Sequence, residues 1–178
     1  PTTKRDDMDS RFAVFLMIIG GTDTYLNDCP TECFQQTEAT ERVHLQYGDT
    51  FFQEDDIGEE IYAIYDMPKR YGAFQPTVGA SLTTDNDFWV GAGVKWSTER
   101  ISDSPIFIEL SLMPGLYVGG DGPDLGFPVQ WRGSLGAGIN FGDTGSLSVV
   151  FDHRSNANAS ETNPGIETLG IRLSYQLD

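Results

Sequence analysis

Gly145-Ser146-Leu147-Ser148-Val149-Val150-Phe151-Asp152-His153-Arg154-Ser155 is followed, after a short polar stretch, by Gly165-Ile166-Glu167-Thr168-Leu169-Gly170-Ile171-Arg172-Leu173-Ser174-Tyr175-Gln176-Leu177. Both segments alternate with a period of two, the signature of β-strands whose successive side chains point to opposite faces. In the first, Leu147, Val149, Phe151, His153 and Ser155 share one face, and Ser146, Ser148, Val150, Asp152 and Arg154 share the other. In the second, Glu167 continues into Leu169, Ile171, Leu173, Tyr175 and Leu177, opposite Thr168, Gly170, Arg172, Ser174 and Gln176. A soluble protein buries such an apolar face in a core, whereas a membrane barrel turns it toward lipid and keeps the polar face inside.

Composition is compatible with the second setting. The chain has 178 residues, 20 glycines, 12% aromatic and 39% hydrophobic residues, which suits one domain, 1–178, of many short strands. Its longest apolar run, Phe12 to Ile19, is shorter than the roughly 18 residues a helical membrane span needs. A barrel hides its membrane signal in alternation, so a mean hydropathy of -0.29 is compatible with it.

The alternation recurs. Trp131, Gly133, Leu135, Ala137, Ile139 and Phe141 oppose Arg132, Ser134, Gly136, Gly138 and Asn140, and Phe88, Val90, Ala92, Val94 and Trp96 oppose Trp89, Gly91, Gly93, Lys95 and Ser97. Small and polar residues on the second face fit the narrow interior of an eight-stranded antiparallel transmembrane barrel. Strands are expected at 59–67, 73–83, 87–97, 105–117, 130–141, 145–155 and 165–177. For the eighth, 11–20 and 41–52 compete. The first is preferred, which leaves 21–58 as an elaborated loop or N-terminal insertion. Pro76 and Pro114 are expected at bulges or strand ends, because a closed barrel has no edge to tolerate a missing N–H.

The apolar face of 145–155 also carries chemistry. His153 and Ser155 lie two residues apart, about 6.6 Å between Cα atoms on a strand, and a returning strand can set Glu167 beside them. A base, a hydroxyl nucleophile and a carboxylate on one face outline a Ser-His-Glu hydrolase. At the lipid boundary, a lipid substrate could reach it. Asp152 and Arg154 point the other way and are expected to pair inside the barrel. Taken alone, His-x-Ser is a weak signal, since a strand with one His and one Ser near a turn is structural in most proteins.

The segment from Pro105 to Asp178 resembles the PagL-type lipid A 3-O-deacylases, also described as acyloxyacyl hydrolase-like. The resemblance rests on His153-x-Ser155-Asn156-Ala157, a short loop, Asn163-x-Gly165-x-Glu167 and the strand Arg132-Gly133-Ser134-Leu135-Gly136-Ala137-Gly138; before residue 70 there is little likeness. It implies an outer-membrane barrel and serine esterase that removes the ester-linked acyl chain at the 3-position of lipid A, with Ser155 as nucleophile, His153 as base and Glu167 as its orienting partner. Asn163 and Asn156 match positions that serve the oxyanion site or its loop. The chemistry requires no cofactor and no metal. Lipid A or lipopolysaccharide is the expected substrate and membrane lipid the expected surroundings, with a homodimer left open.

The remaining features are read more plainly. A net charge of -16 disfavours nucleic acid as a partner. Gln53-Glu54-Asp55-Asp56-Ile57-Gly58-Glu59-Glu60 reads as a solvated acidic loop rather than a place for bridging cations. His44 reads as a polar strand or loop residue rather than a ligand. Cys29 and Cys33 enclose a short polar loop and are expected to form a disulfide in an oxidising compartment. The chain starts at Pro1 without a signal-peptide pattern, which suggests a processed product. The competing readings are a non-catalytic outer-membrane barrel with a structural or binding role and a soluble β-sandwich or lipocalin-like binder.

Overall fold

The computed structural model describes residues 8–177. Helix α1 spans Met8–Asn27, and the strands follow as β1 (Gln36–Glu38), β2 (Arg42–Phe52), β3 (Asp55–Asp66), β4 (Lys69–Tyr71), β5 (Gln75–Thr83), β6 (Phe88–Ser97), β7 (Ile106–Val118), β8 (Val129–Phe141), β9 (Gly145–Ser155) and β10 (Ile166–Gln176). The short β1 and β4 pair with each other, and the other eight close an antiparallel barrel in the order β10-β2-β3-β5-β6-β7-β8-β9. Closure satisfies every strand edge, which is what allows strands to stand in hydrocarbon.

Seven of the barrel strands lie where the period-two pattern puts them. The eighth does not: residues 11–20 are helical, and β2 at Arg42–Phe52 closes the ring against β10. The segment 21–58 is therefore not a loop but carries the end of α1, β1, β2 and the start of β3. An unbroken apolar run such as Phe12 to Ile19 has no period with which to distinguish strand from helix, whereas Val43, Leu45 and Tyr47 alternate with buried His44, Gln46 and Gly48.

The barrel is apolar outside and polar inside. On β9, Leu147 and Val149 are exposed while Ser146 and Ser148 are buried, and on β10, Leu169, Ile171, Leu173 and Tyr175 are exposed while Thr168, Arg172 and Ser174 are buried. Aliphatic and aromatic side chains arrayed outward around a closed ring are stable only in a lipid solvent.

Ion pairs fill the lumen. Arg132 contacts Glu60 at 2.8 Å and Asp152 at 2.8 Å, Arg154 contacts Glu60 at 2.9 Å, Arg172 contacts Glu109 at 2.6 Å, and Lys95 pairs with Asp66. His44 bridges Asp66 at 2.8 Å and Ser174 at 2.7 Å. Four cations thus face four anions, so the lumen is electrically balanced and the net negative charge resides elsewhere. Glu60 departs from the solvated reading of the acidic run, being fully enclosed here, while Asp55, Asp56 and Glu59 remain exposed. Asp152 and Arg154 do pair inside, each with partners on other strands rather than with one another.

The two prolines behave differently. Pro76 is the second residue of β5, at a strand end. Pro114 lies inside β7, paired with Trp131 of β8, and the ladder to β6 lapses between Gly91↔Gly115 and Val94↔Leu112. The missing N–H is accommodated by a local gap in pairing rather than by a bulge.

Helix α1 is the element without a counterpart in the strand pattern. It lies against the outer wall over β7, β8 and β9, with Leu16 buried against Trp96 and Leu110. Its opposite side, including Val14, Phe15, Met17 and Ile18, is exposed. No described helix is long and apolar enough to cross a membrane, and α1 is apolar on both sides because it lies between the barrel and the surrounding lipid. Cys29 and Cys33, just beyond it, are disulfide-bonded.

Candidate active site

The last hairpin brings the three candidate residues to one end of the barrel. The β9–β10 register sets His153 directly opposite Glu167, and His153 Nδ1 lies 3.3 Å from Glu167 Oε1. On the other side of β9, His153 faces Gly133 of β8 and Ser155 faces Trp131. His153 and Ser155 occupy the outward-facing phase of β9, together with Leu147 and Val149. The histidine is thus oriented by a carboxylate one strand away, and the serine leaves the strand two residues later on the same face.

The lumen holds β9 from behind. Asp152 and Arg154, on either side of His153, point inward to Arg132 and Glu60 respectively. Ser134 and Gln46 also donate to the Asp152 carboxylate. A strand braced at both neighbours of a reactive residue loses little further freedom when a substrate binds.

Beyond Ser155 the chain turns sharply. Ala157 and Asn158 adopt positive φ values of 52° and 64°, a costly conformation for alanine. The turn aims the Ala157 N–H at Ser155 Oγ, 3.4 Å away. Asn163, 3% exposed, accepts the Asn156 N–H through Oδ1 at 2.9 Å, which leaves its Nδ2 as the half of the amide with donor character. Asn156 turns its own Nδ2 to the carbonyls of Leu125 and Thr162, at 2.9 and 2.7 Å, and to Ser160 Oγ at 3.0 Å. The loop 156–165 is thereby tied to the β7–β8 loop.

The reactive face is not open to lipid as the strand pattern alone implies. His153 and Ser155 are fully buried, and the N-terminal half of α1 lies on the outer wall beside His153. The Phe12 ring stacks on Phe151 with centroids 6.4 Å apart, and a Cβ at Gly133 would come within 2.6 Å of the same ring. Gly133 creates the niche beside His153 that Phe12 fills. Its placement opposite His153 follows from register, which alternation does not fix. Cavities of about 300 and 370 Å³ lie away from this face, and neither is lined by His153 or Ser155. Among the described residues no group of three or more His, Cys, Asp and Glu side chains is arranged to hold a metal ion.

Comparisons with known proteins agree with this architecture. A family model described as "Lipid A 3-O-deacylase (PagL)" matches residues 42–176. The crystal structure of the outer membrane enzyme PagL superposes with a TM-score of 0.61 at 19% identity, covering 76% of this chain and 99% of that one. Neisserial surface protein A superposes with a TM-score of 0.57 at 9% identity, covering 80% of this chain and 99% of that one. A de novo designed transmembrane barrel gives 0.54 at 12% identity, over 81% of this chain and 99% of the design. No curated protein matches the sequence. At these identities the structural matches establish the fold, and the family assignment rests on the match over 42–176.

Proposed function

The chain belongs to the PagL family of lipid A 3-O-deacylases, an outer-membrane barrel by fold and location, and on that premise we propose that it hydrolyses the 3-position acyl ester of lipid A through Ser155, His153 and Glu167. The observation that carries the assignment of residues is the 3.3 Å approach of Glu167 Oε1 to His153 Nδ1, with Ser155 on the same outward face of β9.

The chemistry follows from that arrangement. His153 Nε2 takes the Ser155 proton as Oγ attacks the ester carbonyl, forming a tetrahedral oxyanion. The imidazolium, stabilised by Glu167, returns the proton to the departing sugar 3-hydroxyl, leaving an acyl-serine. Water, deprotonated by His153, then attacks the acyl-serine, and the fatty acid leaves as Ser155 recovers its proton. We assign oxyanion stabilisation to Asn163 through Nδ2, since its Oδ1 accepts the Asn156 N–H, and Asn156 holds the loop that carries it. Each step uses side chains of this chain and one water.

Purified, refolded protein incubated with lipid A in detergent should release 3-hydroxy fatty acid. Ser155→Ala should reduce release to background while keeping the folded, heat-modifiable mobility of the barrel, because only a hydroxyl is lost. Release by the Ala variant at the parent rate would remove Ser155 from the mechanism.

A further inference from the structure

Helix α1 is two unlike halves joined at Gly20-Gly21. The C-terminal half is bolted to the barrel by polar contacts. Trp96 Nε1 donates to Asp23 at 2.7 Å, Arg100 pairs with Asp23 and with Asp28 just past the helix end, and the Ala73 N–H donates to Thr24 Oγ1 at 3.0 Å. Described side chains of the N-terminal half, by contrast, meet the barrel through apolar surface, chiefly Phe12 on Phe151 and Gly133, and Leu16 on Trp96 and Leu110. In lipid these two kinds of contact differ sharply in cost to break. An apolar side chain that leaves the wall exchanges protein contact for equally apolar acyl chains, whereas a polar pair has no replacement partner there.

The joint is built to bend. A Cβ at Gly20 would come within 2.5 Å of Phe74, so packing accounts for that glycine, but nothing lies within 4 Å of a Cβ at Gly21. A helix-interior glycine without a steric reason loosens the helix at that point, and paired small residues are a usual place for a kink. The segment also lies outside the family's barrel: the matched residues begin at 42.

We propose that the N-terminal half of α1 is an autoinhibitory strap that swings on Gly20-Gly21, covering His153 and Ser155 when docked and giving way to a substrate acyl chain when displaced. The proposal rests on the deacylase reading above. Docked, Phe12 occupies the niche at Gly133 that an acyl chain approaching Ser155 from lipid must enter. Displaced, the strap stays tethered through Asp23 and remains available to close again.

The test is a reversible lock. Phe12→Cys combined with Phe151→Cys, joined by a short bifunctional methanethiosulfonate, fixes the strap; reductant frees it. The parent protein under the same reductant controls for Cys29–Cys33. Readouts are 3-hydroxy fatty acid release from lipid A, labelling of Ser155 by a small fluorophosphonate, and heat-modifiable mobility to establish a folded barrel. The strap predicts at least tenfold less release and labelling when locked, recovery on reduction, a faster rate for Phe12→Ala, and a slower one for Gly21→Ala, which stiffens the joint without touching the site. Measurable and equal release in both states overturns the strap and leaves the deacylase reading standing. Labelling only after reduction, with no release in either state, keeps the strap and overturns the deacylase reading. Absence of both signals in both states overturns both. A mass for the protein from outer membranes that places its N-terminus beyond Asn27 also overturns the strap.

Discussion

Arg132 on β8 and Glu60 on β3 meet across the lumen in a two-pronged pair, with N···O distances of 2.8 and 3.0 Å, although their strands stand on opposite walls of the ring. Glu60 also receives Arg154, and Arg132 also holds Asp152. One cluster therefore braces the barrel and clamps both neighbours of His153. Glu60→Ala takes from two buried guanidinium groups the carboxylate they share, leaving Arg132 with Asp152, and breaking a buried pair on one side costs about 3–5 kcal/mol. Urea unfolding in lipid vesicles, followed by heat-modifiable mobility, should show a loss of that size, with fatty acid release falling more than the folded fraction does.

The lipid-facing register can be read with single cysteines. Val149 is 59% exposed and Ser148 3%. A cysteine at 149 should react with a membrane-dissolved thiol reagent and one at 148 should not. Val149→Arg should cost about 2–4 kcal/mol near the bilayer midplane, while Ser148→Arg is limited by space beside the lumen ion pairs. Unfolding midpoints of the two variants check the contrast.

Asn163 and Asn156 should separate by kinetic signature. Loss of an oxyanion donor typically costs about 10²–10³ in kcat, so Asn163→Ala should lower kcat by that factor with KM little changed. Asn156 spends its Nδ2 on Leu125, Thr162 and Ser160, so Asn156→Ala should instead speed proteolytic nicking within 156–165 and raise KM. Steady-state kinetics on dispersed lipid A, with limited proteolysis, distinguish them.

Acid should loosen the end of the barrel that carries Arg42. Burial pushes the Glu99 carboxyl up, but the Arg42 guanidinium 2.7 Å away and the Asn140 amide at 2.9 Å pull it down further, so it lies below its ordinary value. A folded-state value below the unfolded one means that the stabilisation is fully present above the ordinary carboxylate range, about 4.3, and is lost as pH falls through the folded value. Glu99→Gln should lower stability at neutral pH and flatten its decline on acidification, measured as urea midpoints at pH 7 and pH 4.

Alternation made most of the barrel legible, because a chain with lipid on one side and a packed polar lumen on the other must change polarity at every residue. It failed where that constraint is absent. Phe12 to Ile19 is apolar in every phase, since α1 touches apolar surroundings on both sides, and such a run is equally good as strand or helix. The His153–Glu167 approach was accessible from sequence because the two strands are joined by one short loop. The Gly133 niche was harder, since it depends on register between β8 and β9, and the Glu60 cluster depends on which walls of a closed ring lie opposite. Neither leaves a trace in local spacing.

The ring is sealed where β10 runs along β2, from Ile166↔Phe52 to Gln176↔Arg42, so Glu167 stands on the seam. Before that seam zips, the β3 carboxylate that steadies β9 is not yet across from it. A chain in transit can thus pair β9 with β10 yet lacks the carboxylate that braces the three candidate side chains from behind. On the deacylase reading proposed above, closing the barrel and bracing the candidate site from behind are then one event.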